Sequence, residues 1–181
     1  LHAKLAQRKK NAGPVKTKFS KQKFQNLVSS LEILIHKLRM PARSTTWSGY
    51  YEEASLRNDY LEQKKKIAGN WIDELPDIKS AADLGANDGE FSHLSASKNI
   101  QTIAADFDPY CINNLYNQIK TKGEKKIQPL ILDLSNPSPA IGVNNEERSS
   151  FISRLNVDLV LALALIHHLA IGKNIPLDMI A

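Results

Sequence analysis

Apolar residues recur along this chain in two different rhythms. From Ser20 to Arg39, Phe24, Leu27, Val28, Leu31, Leu34, Ile35 and Leu38 fall at helical spacing and make one continuous apolar face. The rest of the chain is its expected cover, with a partner helix as the alternative. Met40-Pro41 stops this helix. Residues 1–18, poor in apolar content, read as a mobile lead-in, and residues 42–57 read as a loop carrying Trp47, Tyr50 and Tyr51. A second helix is expected from about Asn58 to Glu74, with Leu61, Ile67 and Trp71 inward, Lys64, Lys65 and Lys66 mostly solvated, and Pro76 closing it.

Beyond residue 78 short apolar runs alternate with helical patterns. Lys79–Leu84, Gln101–Ala105, Ile127–Leu132 and Val157–Ala164 read as strands. Helices are expected from about Glu90, from Pro109 with Asp108 as N-cap, and from about Asn145 to Leu155. Ile112, Leu115, Tyr116 and Ile119 give the second of these its buried stripe, and Gly123 ends it. The fourth strand is nearly all apolar, as expected where helices cover both faces of a parallel sheet. Four strand–helix alternations predict an α/β doubly wound, mostly parallel sheet with an N-terminal helical extension. The expected division is residues 1–43 as a basic arm and helix, 44–78 as a loop and helix packing on the core, and 79–181 as a ligand-binding part.

Composition bounds the function classes. Apolar residues make up 42% and charged residues 24% of the 181, which excludes general disorder and fibrous repeats. The longest apolar run is far shorter than a membrane span and no signal peptide is recognisable, so a soluble cytoplasmic protein with no membrane contact is expected. A lone Cys111 excludes an internal disulfide or a multi-cysteine zinc site. The net charge of +5 is unevenly placed: residues 1–43 hold eleven Lys or Arg against Glu32, and the remainder carries thirteen against eighteen acids. Such an arm can contact nucleic acid or an anionic surface, although a solvated helix face or disordered tail is the commoner cause of such charge.

The chemistry concentrates where the strands end. Open α/β sheets bind ligands at the carboxyl ends of their strands, and the first strand runs into Asp83-Leu84-Gly85-Ala86-Asn87-Asp88-Gly89-Glu90-Phe91. Gly85 and Gly89 allow a tight turn and close ligand approach, and the next helix offers its first N–H groups. A dinucleotide fingerprint would need glycines where Asn87 and Glu90 stand, and Asp83, Asp88 and Glu90 make the turn unfriendly to a pyrophosphate. This disfavours a nicotinamide oxidoreductase. No Gly-Lys-Ser/Thr follows, which excludes a phosphate-gripping P-loop.

These residues resemble the class I S-adenosylmethionine-dependent methyltransferases. Asp83–Gly89 is similar to the family's first motif, with Asn87 replacing the middle glycine, a substitution asparagine suits because it tolerates unusual backbone angles. Thr102–Pro109 resembles the second motif and Leu130–Asp133 the third. Asp158–Leu169, with His167 and His168, resembles the fourth strand and its histidine-bearing sequel. The wording around Trp47–Tyr51, Asp83–Phe91 and Leu161–Leu169 resembles the nodulation-protein-like branch. The resemblance implies a Rossmann-like methyltransferase fold with S-adenosylmethionine as cofactor. It assigns cofactor contacts to Asp83, Gly85, Ala86, Asn87, Gly89, Asp106, Phe107, Asp133, Leu134 and Ala162. Asp83 would attract the cationic methionine end, turn N–H groups would hold its carboxylate, Asp106 would accept both ribose hydroxyls, and Asp133 would accept from the adenine amine between Phe107 and Leu134.

Methyl transfer needs a base only if the acceptor must lose a proton; His167 is the candidate, with His168 beside it, the alternative being that one histidine caps a core and the other faces solvent. No metal is expected, because no further cluster has ligand spacing. Asn136-Pro137-Ser138-Pro139 follows the third strand and ends in proline, unlike the Asn-Pro-Pro-aromatic motif of adenine amino-methylating enzymes, so it reads as a structural loop. Trp47, Tyr50, Tyr51 and Tyr60 occupy the place where family members often carry a lid, and helix packing explains these aromatics equally well. The family sheet has seven strands and four are found here, and the chain stops at Ala181 in what reads as a helix opened by Pro176. The sheet is therefore expected to be C-terminally incomplete. The acceptor stays unidentified, with a small or carbohydrate-like molecule suggested by the branch; the alternatives are an RNA methyltransferase gripping RNA through the basic arm, or a non-catalytic interaction protein that keeps the fold.

Overall fold

The computed structural model describes residues 19–41, 45 and 59–180, which form two compact units, Leu1–Pro41 and Ala42–Ala181. The expected lead-in of residues 1–18 and the aromatic residues Trp47, Tyr50 and Tyr51 lie outside the described residues.

In the first unit, helix α1 spans Lys21–Lys37. Ser20 caps it by accepting the Lys23 N–H on its hydroxyl at 3.2 Å, and Leu38 turns the chain to extended geometry. Phe24, Leu27, Val28, Leu31, Leu34, Ile35 and Leu38, the expected apolar face, are all exposed.

The second unit opens with α2, Tyr60–Glu74. Its buried stripe is Leu61, Ala68, Gly69 and Ile72, whereas Ile67 and Trp71, expected inward, are 51% and 60% exposed. The correction has a geometric cause: residues 61, 65, 68 and 72 share one face, and residues 67 and 71 lie about a third of a turn away from it. Small residues at 68 and 69 let α2 sit close to its neighbours; Leu61 and Ala68 pack with Phe91 and Leu161. Tyr60 is exposed.

Four strands follow, β1 Ser80–Leu84, β2 Gln101–Asp106, β3 Ile127–Ile131 and β4 Leu159–Leu161. All pair in parallel, in the order β3-β2-β1-β4. Between them run α3, Glu90–Ser97, and α4, Pro109–Lys122. Alternate residues of β2 feed opposite layers: Ala104 packs with Leu115, Ile119 and Ile127, while Ala105 packs with Leu132 and Phe151. This is the expected Rossmann-like doubly wound α/β fold, parallel throughout its described sheet.

Three local expectations need correction. The helix expected over 145–155 shrinks to α5, Phe151–Arg154. Asn144 and Asn145 adopt left-handed backbone angles (φ 55° and 60°), Ile141 bridges Arg148 in antiparallel fashion, and Ser150 supplies the real cap by accepting the Ser153 N–H. The fourth strand is only three residues long, and Val160 is half exposed. Tyr116, expected in the buried stripe of α4, is 48% exposed, and Cys111 is buried in its place. Burial, helped by the charges of Asp108, Asp88 and Asp106, pushes the Cys111 thiol up to about 12, so it is chemically inert.

Asp158 ties the sheet together at its start. Its Oδ2 accepts the Lys79 and Ser80 N–H groups at 3.0 and 2.9 Å and the Ser80 hydroxyl at 2.8 Å. These bonds hold its carboxyl below the usual range and fix the entry of β4 beside β1.

Candidate cofactor site

The turn after β1 is built around backbone needs. Gly85 (φ 77°) and Ala86 both donate their N–H groups to the Ala105 carbonyl, at 2.8 and 3.0 Å. Asn87 then takes φ 51°, a left-handed angle at the place of the family's middle glycine. Gly89 (φ 86°) caps α3, and a Cβ there would lie 2.6 Å from Leu115 Cδ1. Glycine at 89 is thus required twice, by the angle and by the close approach of α4.

Asp106, at the end of β2, braces this turn. Its Oδ2 accepts the Asn87 N–H at 2.9 Å, its Oδ1 accepts the Asp108 N–H at 2.8 Å, and its backbone carbonyl takes the Leu132 N–H at 2.8 Å. One residue therefore joins the turn after β1, the head of α4 and the end of β3, the first two through its carboxylate and the third through its backbone. Asp108 caps α4 by accepting the Tyr110 N–H.

These ends surround a cavity of about 250 Å³. Of the residues assigned from sequence, Gly85, Asn87, Asp106, Phe107, Asp133 and Leu134 line it. Asp133 is exposed, and its Oδ1 accepts the Ser135 N–H and hydroxyl at 2.9 and 2.6 Å, which holds its carboxyl below the usual range. Among the described residues its Oδ2 has no hydrogen-bond partner. Phe107, more than half exposed, and Leu134 supply apolar wall.

Ala86, Gly89 and Asp83 stand behind the wall. Asp83 is 2% exposed and accepts the Ser92 hydroxyl at 2.6 Å. Burial pushes its carboxyl up to about 6, against the pull of the Ser92 hydrogen bonds; Asp106 adds to the rise and Lys64 opposes it. Asp83 therefore sets the charge beneath the turn, one residue before the Leu84-Gly85 step into the cavity wall.

After β4 the chain differs from expectation by one or two residues. Ala162 and His167 do not line the cavity; Leu163, Ala164, Leu165 and His168 do. Ala164 reaches this wall through a left-handed angle, φ 58°, and a turn over His168–Gly172 follows. The two histidine rings lie 4.0 Å apart. Burial first, and the charge of His167 next, push the His168 imidazole below its ordinary range against the pull of Asp106, which favours the neutral form able to take a proton. Sequence reasoning also missed Lys64, Leu169 and Lys173 in the wall. Lys64 carries a legible signal: it lies three residues after Leu61 and four before Ala68, at the edge of the buried stripe.

Among the described residues no group of three His, Cys, Asp or Glu side chains could hold a metal ion, and no helix is long and apolar enough to cross a membrane.

A parallel sheet ordered β3-β2-β1-β4, with its cavity at the strand ends, defines a Rossmann-like α/β domain. Over 162 residues, 87% of its length, the chain is 33% identical to the nodulation protein NoeA of Rhizobium meliloti (strain 1021), and it spans 33% of that protein. No protein-family profile matches it. Among the solved structures that it is similar to are the following three. A Methanococcus maripaludis protein provisionally assigned as an S-adenosylmethionine-dependent methyltransferase has TM-score 0.43 and 18% identity, covering 56% of this chain and 50% of that one. An S-adenosylmethionine-dependent methyltransferase of Clostridium acetobutylicum has TM-score 0.36 and 20% identity, covering 48% and 38%. Coclaurine N-methyltransferase, bound to N-methylheliamine and S-adenosylhomocysteine, has TM-score 0.36 and 16% identity, covering 76% and 44%.

Proposed function

We propose that this chain carries the cofactor-binding part of an S-adenosylmethionine-dependent methyltransferase. The supporting observation is Asp106, a buried carboxylate fixed by the Asn87 and Asp108 N–H groups in the lining of the cavity at the strand ends. Each oxygen keeps accepting capacity beyond its one protein donor, which suits a vicinal diol. Phe107 and Leu134 suit a flat aromatic base, and Asp133 Oδ2 suits an exocyclic amine. The residues present therefore fit the cofactor.

When bound, S-adenosylmethionine supplies an activated methyl on a sulfonium, so the protein's task is positioning. The glycine turn brings backbone close to the ligand, Asp106 fixes its orientation, and the residues after β4 close the wall. His168 faces the cavity in a form that can take a proton from an acceptor hydroxyl or amine. The acceptor is proposed to be a small or carbohydrate-like molecule, in keeping with the similarity to a nodulation protein.

The basic excess of residues 1–43 favours a second reading, an RNA acceptor gripped by that stretch. Calorimetric titration with S-adenosylhomocysteine tests the first claim; absence of binding contradicts it. Charge-neutralising substitutions at Lys9, Lys10, Lys16 and Lys18 then separate the acceptors, because they flatten the salt dependence of RNA binding only under the second reading.

A further inference from the structure

Helix α1 of the first compact unit has no part in the reading above, and its surface is divided in two. At helical pitch Phe24, Leu27, Val28, Leu31, Leu34, Ile35 and Leu38 gather within an arc of about 120°. Each of them is 47% to 66% exposed, and no residue of the helix is buried. The opposite surface is polar, with Gln22, Gln25, Asn26, Ser29 and Ser30 on it and Ile33 as its one apolar member. Lys21 stands beside Val28 at one border of the apolar arc and Lys23 beside Leu34 at the other. Lys37 and Arg39 follow at the end of the helix, and among the described residues none of these four cations has a carboxylate within 4.0 Å. Glu32 is the one acid of residues 1–43, against eleven Lys or Arg. A second copy of the helix covers this face poorly. With Val28 and Ile35 at one core position of a coiled coil and Phe24, Leu31 and Leu38 at the other, Leu27 and Leu34 fall outside the seam, where pairing helices carry charges. Two copies would also bring like-charged segments together. Nucleic acid meets the charge and leaves the apolar arc in water. An anionic lipid surface satisfies both.

We propose that α1 lies in the plane of an anionic lipid surface, with its apolar arc in the acyl boundary and Lys21, Lys23 and Lys37 among the headgroup phosphates. The lysine stems reach outward along the apolar arc while their ammonium groups stay at headgroup level. The expectation of no membrane contact rested on the lack of a spanning segment, and a helix lying in the interface needs no spanning length. The proposal is independent of the cofactor reading, because every residue lining that cavity belongs to the second unit.

The test is co-sedimentation of the full chain, at physiological salt, with vesicles of phosphatidylcholine alone and of phosphatidylcholine mixed equally with phosphatidylglycerol. Wild type is expected to bind the mixed vesicles about tenfold more tightly, or better. Lys21→Gln combined with Lys23→Gln should remove roughly tenfold of that affinity. Leu31→Gln combined with Leu34→Gln should lower it about a hundredfold or more. No binding to the mixed vesicles, equal binding to both compositions, or binding that survives the leucine substitutions overturns the proposal. So does uptake of single-stranded RNA in place of vesicles, which assigns the segment to nucleic acid. A dimer in sedimentation velocity that the leucine substitutions dissociate assigns the face to a second copy, and α1 amides protected from hydrogen exchange in the lipid-free monomer assign it to this chain; either result overturns the proposal. S-adenosylhomocysteine affinity, measured on the same variants, reports on the cofactor reading separately. If thermal melting shows that the leucine variant does not fold, the exposed lysine variant and the two vesicle compositions decide.

Discussion

The backbone N–H of Asn87 donates to Asp106 Oδ2 at 2.9 Å, so the turn after β1 and the acid ending β2 are one structural unit. Asn87 itself takes a left-handed angle, φ 51°, where the chain turns toward α3. The same carboxylate holds Asp108 at the head of α4. A single side chain therefore sets both the shape of the turn and the floor on which a ribose would rest.

Replacing Asp106 by alanine removes both functions. Two charge-assisted hydrogen bonds to a diol are lost, which predicts a fall in S-adenosylhomocysteine affinity of about a hundredfold or more. Calorimetry on Asp106→Ala checks this. An affinity within a factor of about three of wild type would remove Asp106 from the site.

Gly89→Ala places a methyl 2.6 Å from Leu115 Cδ1 at a backbone angle that favours glycine. Leu115 is fully buried and cannot withdraw without repacking α4. The expected loss is on the order of 3 kcal/mol, read as a lowered urea midpoint with an unchanged slope.

Gly69→Ala should do the opposite. It lies inside α2, and a Cβ there meets Leu94 Cδ1 at 3.7 Å, an ordinary contact. Removing helix-interior glycine is expected to stabilise the chain by about 0.5–1 kcal/mol, and a melting temperature at or below that of wild type would show that α2 is packed differently.

Asp83 predicts a pH effect with a definite sign. Its carboxyl rises from the ordinary 3.8 to about 6 on folding, chiefly through burial. The folded chain thus keeps this proton to higher pH than the unfolded chain. The stabilisation is complete below pH ~3.8 and is lost as pH rises through about 6, on the order of 3 kcal/mol in all. Asp83→Asn lacks this titration, so its stability relative to wild type should grow between pH 4 and 6.5, roughly, and then level off. Urea denaturation of both proteins across that range measures it, and a constant difference would place Asp83 in a more solvated setting.

Much of this arrangement is legible in the sequence because it depends on residues with few substitutes. Gly85, Asn87, Gly89, Asp106 and Pro109 announce turns, an acid at a strand end and a helix start, and the structure puts each where its backbone chemistry requires. What could not be read has equally physical causes. Hydrophobicity marks Ile67 and Trp71 as inward, but close packing of α2 selects the small Ala68 and Gly69 instead. The helix expected from about Asn145 to Leu155 is cut short at its start because Asn144 and Asn145 turn left-handed. Lys64 is hidden in a run of three lysines whose burial depends on helix phase. Which of His167 and His168 lines the cavity depends on the left-handed turn at Ala164, a conformation alanine rarely adopts.

The most direct measurement is a crystal structure of the chain with S-adenosylhomocysteine. Both ribose hydroxyls should lie within hydrogen-bond distance of the Asp106 carboxylate, with the base between Phe107 and Leu134 and its amine toward Asp133. A ligand bound with its ribose away from Asp106, or a cavity that takes up no ligand at saturating concentration, would contradict the assignment of this domain as a methyltransferase cofactor site.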